Sequence, residues 1–272
     1  MKRSLANPEL SIVIPVYNES AILETSVFEL HQRLSEKNYS FEIVLAENGS
    51  KDQTAEIANR LSQTLNEVCC FSTPVANYGL ALRQAILQAR GSFVICEEID
   101  ICNVDFHERA YQILQSDVAD MVVGSKSMPG SHDQRPWVRR WATLAYNALL
   151  RWTLGFRGTD THGLKAFQRE KILAVIDQCI VEHDVFASEL VIRAQRSQLR
   201  VHEIPVCIRE KRAPSVQLFR RIPKVAKHIG QLWLSIHFGR IFREQQHRNG
   251  TDSSKPTDST KCPNRADKDE ST

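Results

Sequence analysis

The chain has 272 residues, 42% of them apolar, enough for one large α/β domain with a real core or for two small ones. A formal net charge of +3 is too mild to mark a nucleic-acid-binding protein, and no nucleic-acid partner is expected. The seven cysteines form an odd set without ligand-like spacing, and several lie inside apolar runs, which argues against a disulfide framework and against a zinc site.

The opening residues, MKRSLANPEL, carry two basic residues with no apolar region behind them, so no signal peptide is read there. Residues 1–8 are taken as an N-terminal extension. Ile12–Val16 is a short β-branched strand candidate, ended by Pro15-Val16-Tyr17-Asn18, and Ile22, Leu23, Val27, Leu30 and Leu34 then recur at helical spacing. Phe41–Ala46 is a second strand candidate. Ser50 with Gln53 fits a capping box for the helix lined by Ile57, Leu61 and Leu65. Val68–Phe71 is a third strand, followed by a helix over Gly79–Ala89 that Gly91 is expected to close. Phe93–Glu97 and Met121–Gly124 are the fourth and fifth strands. Short apolar strands alternating with helices predict a mostly parallel sheet with helices on both faces, within a domain spanning residues 9–212.

The apolar stretch around Leu144–Phe156 is interrupted by Asn147 and Arg151, so nothing in the chain reads as a bilayer-spanning helix, and a cytoplasmic location is expected. From about residue 213 to 244 basic residues (Arg220, Arg221, Lys224, Lys227) alternate with Leu218, Phe219, Ile222, Val225, Ile229, Leu232 and Trp233. Such an amphipathic segment suits a membrane interface, with Trp137, Trp141 and Trp152 as a second contact, and attachment to a cytoplasmic membrane face is the expectation. The other reading is a helix packed on its own domain or on a second copy. Residues 245–272 are almost devoid of apolar side chains and read as a disordered polar tail.

In open α/β sheets ligands bind beyond the carboxyl ends of the strands, and this is where the unusual polar residues fall: Tyr17, Asn18 and Glu19 after the first strand, Glu47 and Asn48 after the second, Glu98 and Asp100 after the fourth. Carboxylates there suit a nucleotide's base and ribose. Two of them together hold Mg²⁺ or Mn²⁺ through oxygen, and the metal stabilises charge on a leaving diphosphate. If the strand pleat continues, Glu98 and Asp100 point to the same side. An exposed acidic turn is the plainer reading of that pair.

The blocks SIVIPVYNES, EIVLAENGSKDQT, ANYGLALRQAILQARGSFVICEEID and MVVGSK, in that order, resemble the successive blocks of glycosyltransferase family 2. RPWVRRWATLAYNALLRWTLGFRGTDTHGLKAF and SELVIRAQRSQLRVHEIPV are similar to the dolichyl- and polyprenyl-phosphate mannosyl- and glucosyltransferases of that family. The resemblance implies a GT-A fold and an inverting transfer of a hexose, mannose or glucose, from a GDP- or UDP-linked donor to a polyprenyl phosphate.

Carried over by position, Pro15, Tyr17, Glu19, Glu47 and Glu98 meet the nucleotide-sugar, and Glu98 and Asp100 hold the metal. Lys126, Arg139 and Thr143 meet the acceptor phosphate, and Asp100, Lys126 and Arg139 form the catalytic set. Arg135, Arg140 and Lys165 are further cations in reach of that phosphate, while Arg139 and Arg140 also read as a solvated helix face. An anionic phosphate acceptor needs cations rather than a general base.

The chain departs from the family pattern in several places. Glu47 and Glu98 stand where aspartates are usual, each reaching about 1.5 Å further. Cys102 replaces a frequent oxygen ligand, Lys126 replaces an arginine, and the DTHGLKAF block is one residue short. These departures keep open a changed donor and a non-catalytic nucleotide-binding homologue, and a transferase with a soluble acceptor is a further alternative. No role is assigned to His107, His162 or His183.

Overall fold

In the computed structural model the described residues are 7–133, 137–181, 185–208 and 227–237. The side chains of residues 132, 133 and 139 lie outside that description. The chain runs β1 (Leu10–Val16), α1 (Leu23–Ser35), β2 (Phe41–Glu47), α2 (Thr54–Thr64), β3 (Val68–Ser72), α3 (Tyr78–Gln88), β4 (Phe93–Cys96), α4 (Val104–Gln115) and β5 (Met121–Ser125). It continues through β6 (His132–Asp133), α5 (Trp137–Leu154), β7 (Lys165–Gln168), α6 (Arg169–Ile176), α7 (Phe186–Arg196), β8 (Val201–Pro205) and β9 (Cys207–Ile208), with a further helix, α8, over 227–237.

Seven strands form one sheet in the order β3-β2-β1-β4-β7-β5-β8, and β6 pairs with β9 in a small separate ribbon. All pairings in the large sheet are parallel except those of β7, which runs antiparallel between β4 and β5. The five strands expected from the sequence are present, and the mostly parallel, doubly covered sheet is the GT-A architecture. The sheet is buried on both faces because alternate residues feed two cores. Leu10, Ile12 and Ile14 of β1 and Phe41, Ile43 and Leu45 of β2 pack with α1, α2 and α4. Val13, Val44 and Ala46 face the other layer, built by α3, α5, α6, α7 and Leu232 of α8.

Two local expectations are corrected. Ser50 and Gln53 do not form a capping box: Gln53 is the N-cap of α2 and its side chain makes no capping bond. Asp52 instead accepts from Thr54 N at 3.0 Å, and the Ser50 hydroxyl accepts from Asn18 N at 3.0 Å. Gly91 does not close α3, whose C-cap is Ala89 in an extended conformation. A Cβ at Gly91 would stand 2.7 Å from Ser11 N and 2.8 Å from the Leu10 carbonyl carbon, so close approach to β1 is what requires glycine there.

Within the C-terminal amphipathic segment, 227–237 is helical and docks on the domain. Leu232 is fully buried, worth about 2 kcal/mol, with Ile229 buried and Ile236 partly buried beside it. Ser235 donates to Glu189 Oε1 at 3.1 Å, and Arg193 Nη2 donates to Ser235 Oγ at 2.6 Å. The packed reading holds for this stretch, with Trp233 and Leu234 left on the exposed side. The rest of that segment, the polar tail, Arg135 and His183 lie outside the described residues. Among the described residues no helix is long and apolar enough to cross a membrane.

Candidate functional site

The carboxyl ends of β1, β2, β4 and β5 lie along one edge of the sheet, as parallel pairing requires. β7, being antiparallel, begins at that same edge: Lys165 pairs with Cys96 of β4 and with Val123 of β5. The segment 158–164 that leads into β7 therefore crosses the strand ends, which gives the edge a second wall.

The first wall is built by the loops after β1 and β2. Asn18 adopts a left-handed φ of 53°, and its side-chain oxygen accepts from Lys51 N at 2.9 Å. Glu19 is buried, with its backbone N donating to Thr54 Oγ1 at 2.7 Å. Glu47, the last residue of β2, is buried and accepts from Ser50 N at 2.5 Å. Asn48 links this loop to the next, its Oδ1 accepting from Asn77 N at 2.6 Å. Tyr17 stands exposed beside them and Pro15 is half-buried. The structure thus brings Pro15, Tyr17, Glu19 and Glu47 to one end of adjacent strands, with the Tyr17 ring exposed there.

The loop after β4 carries the acidic pair. The pleat does not continue past Cys96. Glu98 O accepts from both Ile101 N (2.9 Å) and Cys102 N (3.2 Å), making a tight turn in which Cys102 takes a φ of 45°. Ile99 drops into the core between the two carboxylates, leaving Glu98 and Asp100 half-buried at the cleft. The turn, and not the pleat, brings the acidic pair together. Cys102 is buried and donates its thiol to Ile99 O at 3.4 Å.

Burial pushes the Glu98 carboxyl above its ordinary range; Lys126 opposes this, and the Asp100 and Glu97 carboxylates add to it. Burial likewise pulls the Lys165 ammonium down. A cavity of about 80 Å³ opens beside Glu98, with Tyr78, Cys96, His162 and Lys165 in its wall.

The second wall is the 158–164 segment. Asp160 is fully buried and accepts from His162 N at 2.8 Å and Lys126 N at 3.3 Å, with Lys126 Nζ 4.0 Å away. Burial alone would raise its pKa; the Lys126 ammonium and the His162 amide outweigh that and hold it below the usual carboxylate range. Lys126 Nζ donates to His162 O at 3.2 Å, and Lys165 Nζ to Gly163 O at 2.7 Å. Both lysines are anchored at the cleft by backbone carbonyls.

Helix α5 is tied to this wall. Asn147 Nδ2 donates to Thr159 O at 2.8 Å, and the Tyr146 and His162 rings meet edge to face at 4.7 Å. Residues 139, 143 and 147 share one helix face by their spacing. The half-buried Thr143 therefore lies between position 139 and the anchored Asn147.

Two carboxylates close enough that Asp100 adds to the upward shift of Glu98, set against oxygen-bearing loops, suit Mg²⁺ or Mn²⁺. A divalent cation would offset both the burial and the neighbouring carboxylates that raise Glu98, and Glu98 and Asp100 are the residues that would hold it. Sequence reasoning missed Asp160 and His162, which had no partner at recognisable spacing, and it chose Glu98 by its match to the family motif while giving Glu97 no role. Glu97 is fully buried and its oxygens already accept from three donors, so Glu98 is the carboxylate left for a ligand.

The glycosyl transferase family 2 profile matches residues 11–175, more than half of the chain. Glycosyltransferase AglD of Haloferax volcanii is 33% identical over 233 residues, covering 84% of this chain and 37% of that protein. Human dolichyl-phosphate beta-glucosyltransferase is 28% identical over 216 residues, covering 73% of this chain and 66% of that protein. The chain thus spans under two thirds of the length of these relatives. Among solved structures, glucosyl-3-phosphoglycerate synthase from Mycobacterium tuberculosis, in complex with Mn²⁺, UDP-glucose and phosphoglyceric acid, superposes with a TM-score of 0.61. Its identity is 18%, over 83% of this chain and 80% of that one, a likeness of fold. With the sheet order, the strand-end carboxylates and the profile in agreement, the chain belongs to glycosyltransferase family 2.

Proposed function

We propose that the protein is an inverting hexosyltransferase that moves a hexose from a nucleotide diphosphate-sugar to a polyprenyl phosphate. The observation that carries the reading is the cleft between two walls: Glu47, Glu98 and Asp100 on the donor side, and Lys126, with Lys165 behind it, on the other. In this reading Pro15, Tyr17, Glu19 and Glu47 take the nucleotide, and Glu98 and Asp100 take Mg²⁺ or Mn²⁺. The metal would supply charge stabilisation to the leaving diphosphate. Lys126, Arg139 and Thr143 position the acceptor phosphate for in-line attack on the anomeric carbon. No general base is required, because the phosphate arrives as an anion. Glucose is favoured by the human relative's name and by the UDP-glucose of the solved neighbour.

A lipid-borne acceptor is supported by α5. Trp137, Trp141, Leu144 and Trp152 fall along one stripe of the helix and are exposed, Trp152 at 86%, with Arg140 and Arg151 exposed on the same helix. Exposed tryptophans flanked by arginines suit the headgroup layer, where an amphipathic ring has both an apolar and a polar side to satisfy. Peripheral attachment to a membrane follows, by α5 rather than α8. A soluble, phosphate-bearing acceptor is the second reading, favoured by the docking of α8 on the domain and by the phosphoglyceric acid of the solved neighbour.

The donor half is tested by calorimetric titration of UDP and GDP, with and without Mn²⁺, into wild type and Asp100→Ala. Metal-dependent binding of one nucleotide that Asp100→Ala abolishes supports the reading. Binding indifferent to metal and to Asp100 favours a non-catalytic homologue and removes the assignment.

A further inference from the structure

The loop that presents Glu98 and Asp100 is held from beneath by a buried pair that the chemistry of transfer does not use. Glu97 and His107 are both fully buried. Glu97 Oε1 accepts from Glu98 N at 2.8 Å, and Oε2 accepts from Asn103 N at 2.9 Å. One carboxylate therefore fastens both ends of the turn between β4 and α4. His107 Nε2 lies 2.7 Å from Glu97 Oε2, from the first turn of α4, and donates to it, while Nδ1 has no hydrogen-bond partner among the described residues. Asn103 completes the clasp: its side chain caps α4 by accepting from Phe106 N at 3.0 Å and donates to Cys207 O at 3.1 Å.

A buried carboxylate is costly, and its retention beneath a tight turn calls for a reason. An amide or apolar side chain at position 97 cannot accept from three donors at once. A carboxylate can, and its partner histidine fixes which oxygen faces which amide. The turn also contains a non-glycine residue, Cys102, in a left-handed conformation, which costs energy unless its surroundings enforce it.

We propose that Glu97 and His107 are positioning residues for the metal and diphosphate site: they set the spacing of Glu98 and Asp100 without touching metal or substrate. The proposal rests on the reading of Glu98 and Asp100 as metal-holding residues. It predicts that loosening the clasp weakens metal affinity while leaving the base and ribose pocket, built on the separate β1 and β2 loops, intact.

The test is titration of Mn²⁺ into the full chain at saturating UDP or GDP, whichever wild type binds, reading free Mn²⁺ by electron paramagnetic resonance. Metal-free nucleotide affinity and the melting temperature are measured alongside. Loss of an outer-shell partner typically costs about 10–100-fold in metal affinity. Glu97→Gln and His107→Phe should each weaken Mn²⁺ binding by about that much while changing metal-free nucleotide affinity less than about twofold. His107→Gln, which restores an N–H donor in reach of Glu97, should recover most of the loss. His107→Phe keeps the buried volume filled, so it serves if Glu97→Gln does not fold.

Folded variants with unchanged Mn²⁺ affinity overturn the proposal, as does an equal loss of metal-free nucleotide binding, or a failure of His107→Gln to differ from His107→Phe. A wild type that binds nucleotide without any response to Mn²⁺ overturns the underlying reading of Glu98 and Asp100, and the clasp's role with it.

Discussion

Gly163→Ala is the single-atom change from which the site has most to lose. Gly163 sits at the entry to β7, and a Cβ there would lie 1.7 Å from Gly124 O and 2.8 Å from the Gly124 carbonyl carbon. Ordinary carbon–oxygen contacts begin near about 3.3 Å, so the two backbones must part by about 1.5 Å. Neither can do so freely, because Gly124 N donates to Leu164 O at 2.8 Å and β5 pairs with β7 over Met121–Val123, immediately before Gly124. Overpacking costs about 1–3 kcal/mol, and the buried backbone bond put at risk adds about 1–3 kcal/mol.

A total of about 4 kcal/mol would lower the melting temperature by about 8–16 °C in a domain of this size. The same shift moves the His162 and Gly163 carbonyls that hold the Lys126 and Lys165 ammonium groups. The assay is thermal denaturation by circular dichroism, with Gly230→Ala as control. Gly230 lies in α8 with nothing within 4 Å of an added Cβ, so that change should be neutral or slightly stabilising. A Gly163→Ala protein that melts within about 2 °C of wild type would refute the steric reasoning.

Glu189 is fully buried and accepts from Ile180 N, Val181 N, Arg193 and Ser235. Glu189→Ala should cost about 3–5 kcal/mol by stranding those donors, read as a melting temperature lower by about 10 °C. Asp120 accepts from Arg200 and Lys171, and hydrogen bonding to Arg200 holds its carboxyl below the usual range. Because the folded state lowers this pKa, the stabilisation is present above about pH 4 and is lost as pH falls toward the folded value. Asp120→Asn should therefore flatten the acid-side decline in melting temperature, and an unchanged decline would show that the network does not govern it. Replacing Trp137, Trp141 and Trp152 together by serine should abolish sedimentation with anionic vesicles while leaving the melting temperature within about 2 °C, since all three are exposed. Unchanged sedimentation would place any membrane contact elsewhere.

What the sequence made legible was local. β1, β2, β3, β4 and β5 each present four or more consecutive residues with a clear apolar signal, and the polar residues that end them are the cleft residues. β7 left no such trace. It is four residues long, and its place between β4 and β5 is decided by pairing with strands about forty to seventy residues away in the chain, which no local period encodes. The same limit hid Asp160, an isolated acid in a polar loop until burial and Lys126 give it a role. Glu97 and Glu98 are chemically identical neighbours, and only the direction of the backbone decides which is clasped and which faces the cleft. The capping-box pattern at Ser50 failed for a related reason: the hydroxyl was claimed by Asn18 N, a partner supplied by the tertiary structure. α8 shows how an amphipathic pattern alone cannot separate a membrane face from a core face, because both bury the same side chains.

The measurement that bears most directly on function is sugar transfer itself. The full chain would be incubated with radiolabelled UDP-glucose or GDP-mannose, Mn²⁺ and vesicles carrying a polyprenyl phosphate, and the organic phase counted for lipid-linked hexose. The account predicts a metal-dependent product from one donor, lost in Asp100→Asn and sharply reduced in Lys126→Ala. Transfer that appears only with phosphoglyceric acid or another soluble phosphate, or no transfer from either donor by a folded protein, would contradict it.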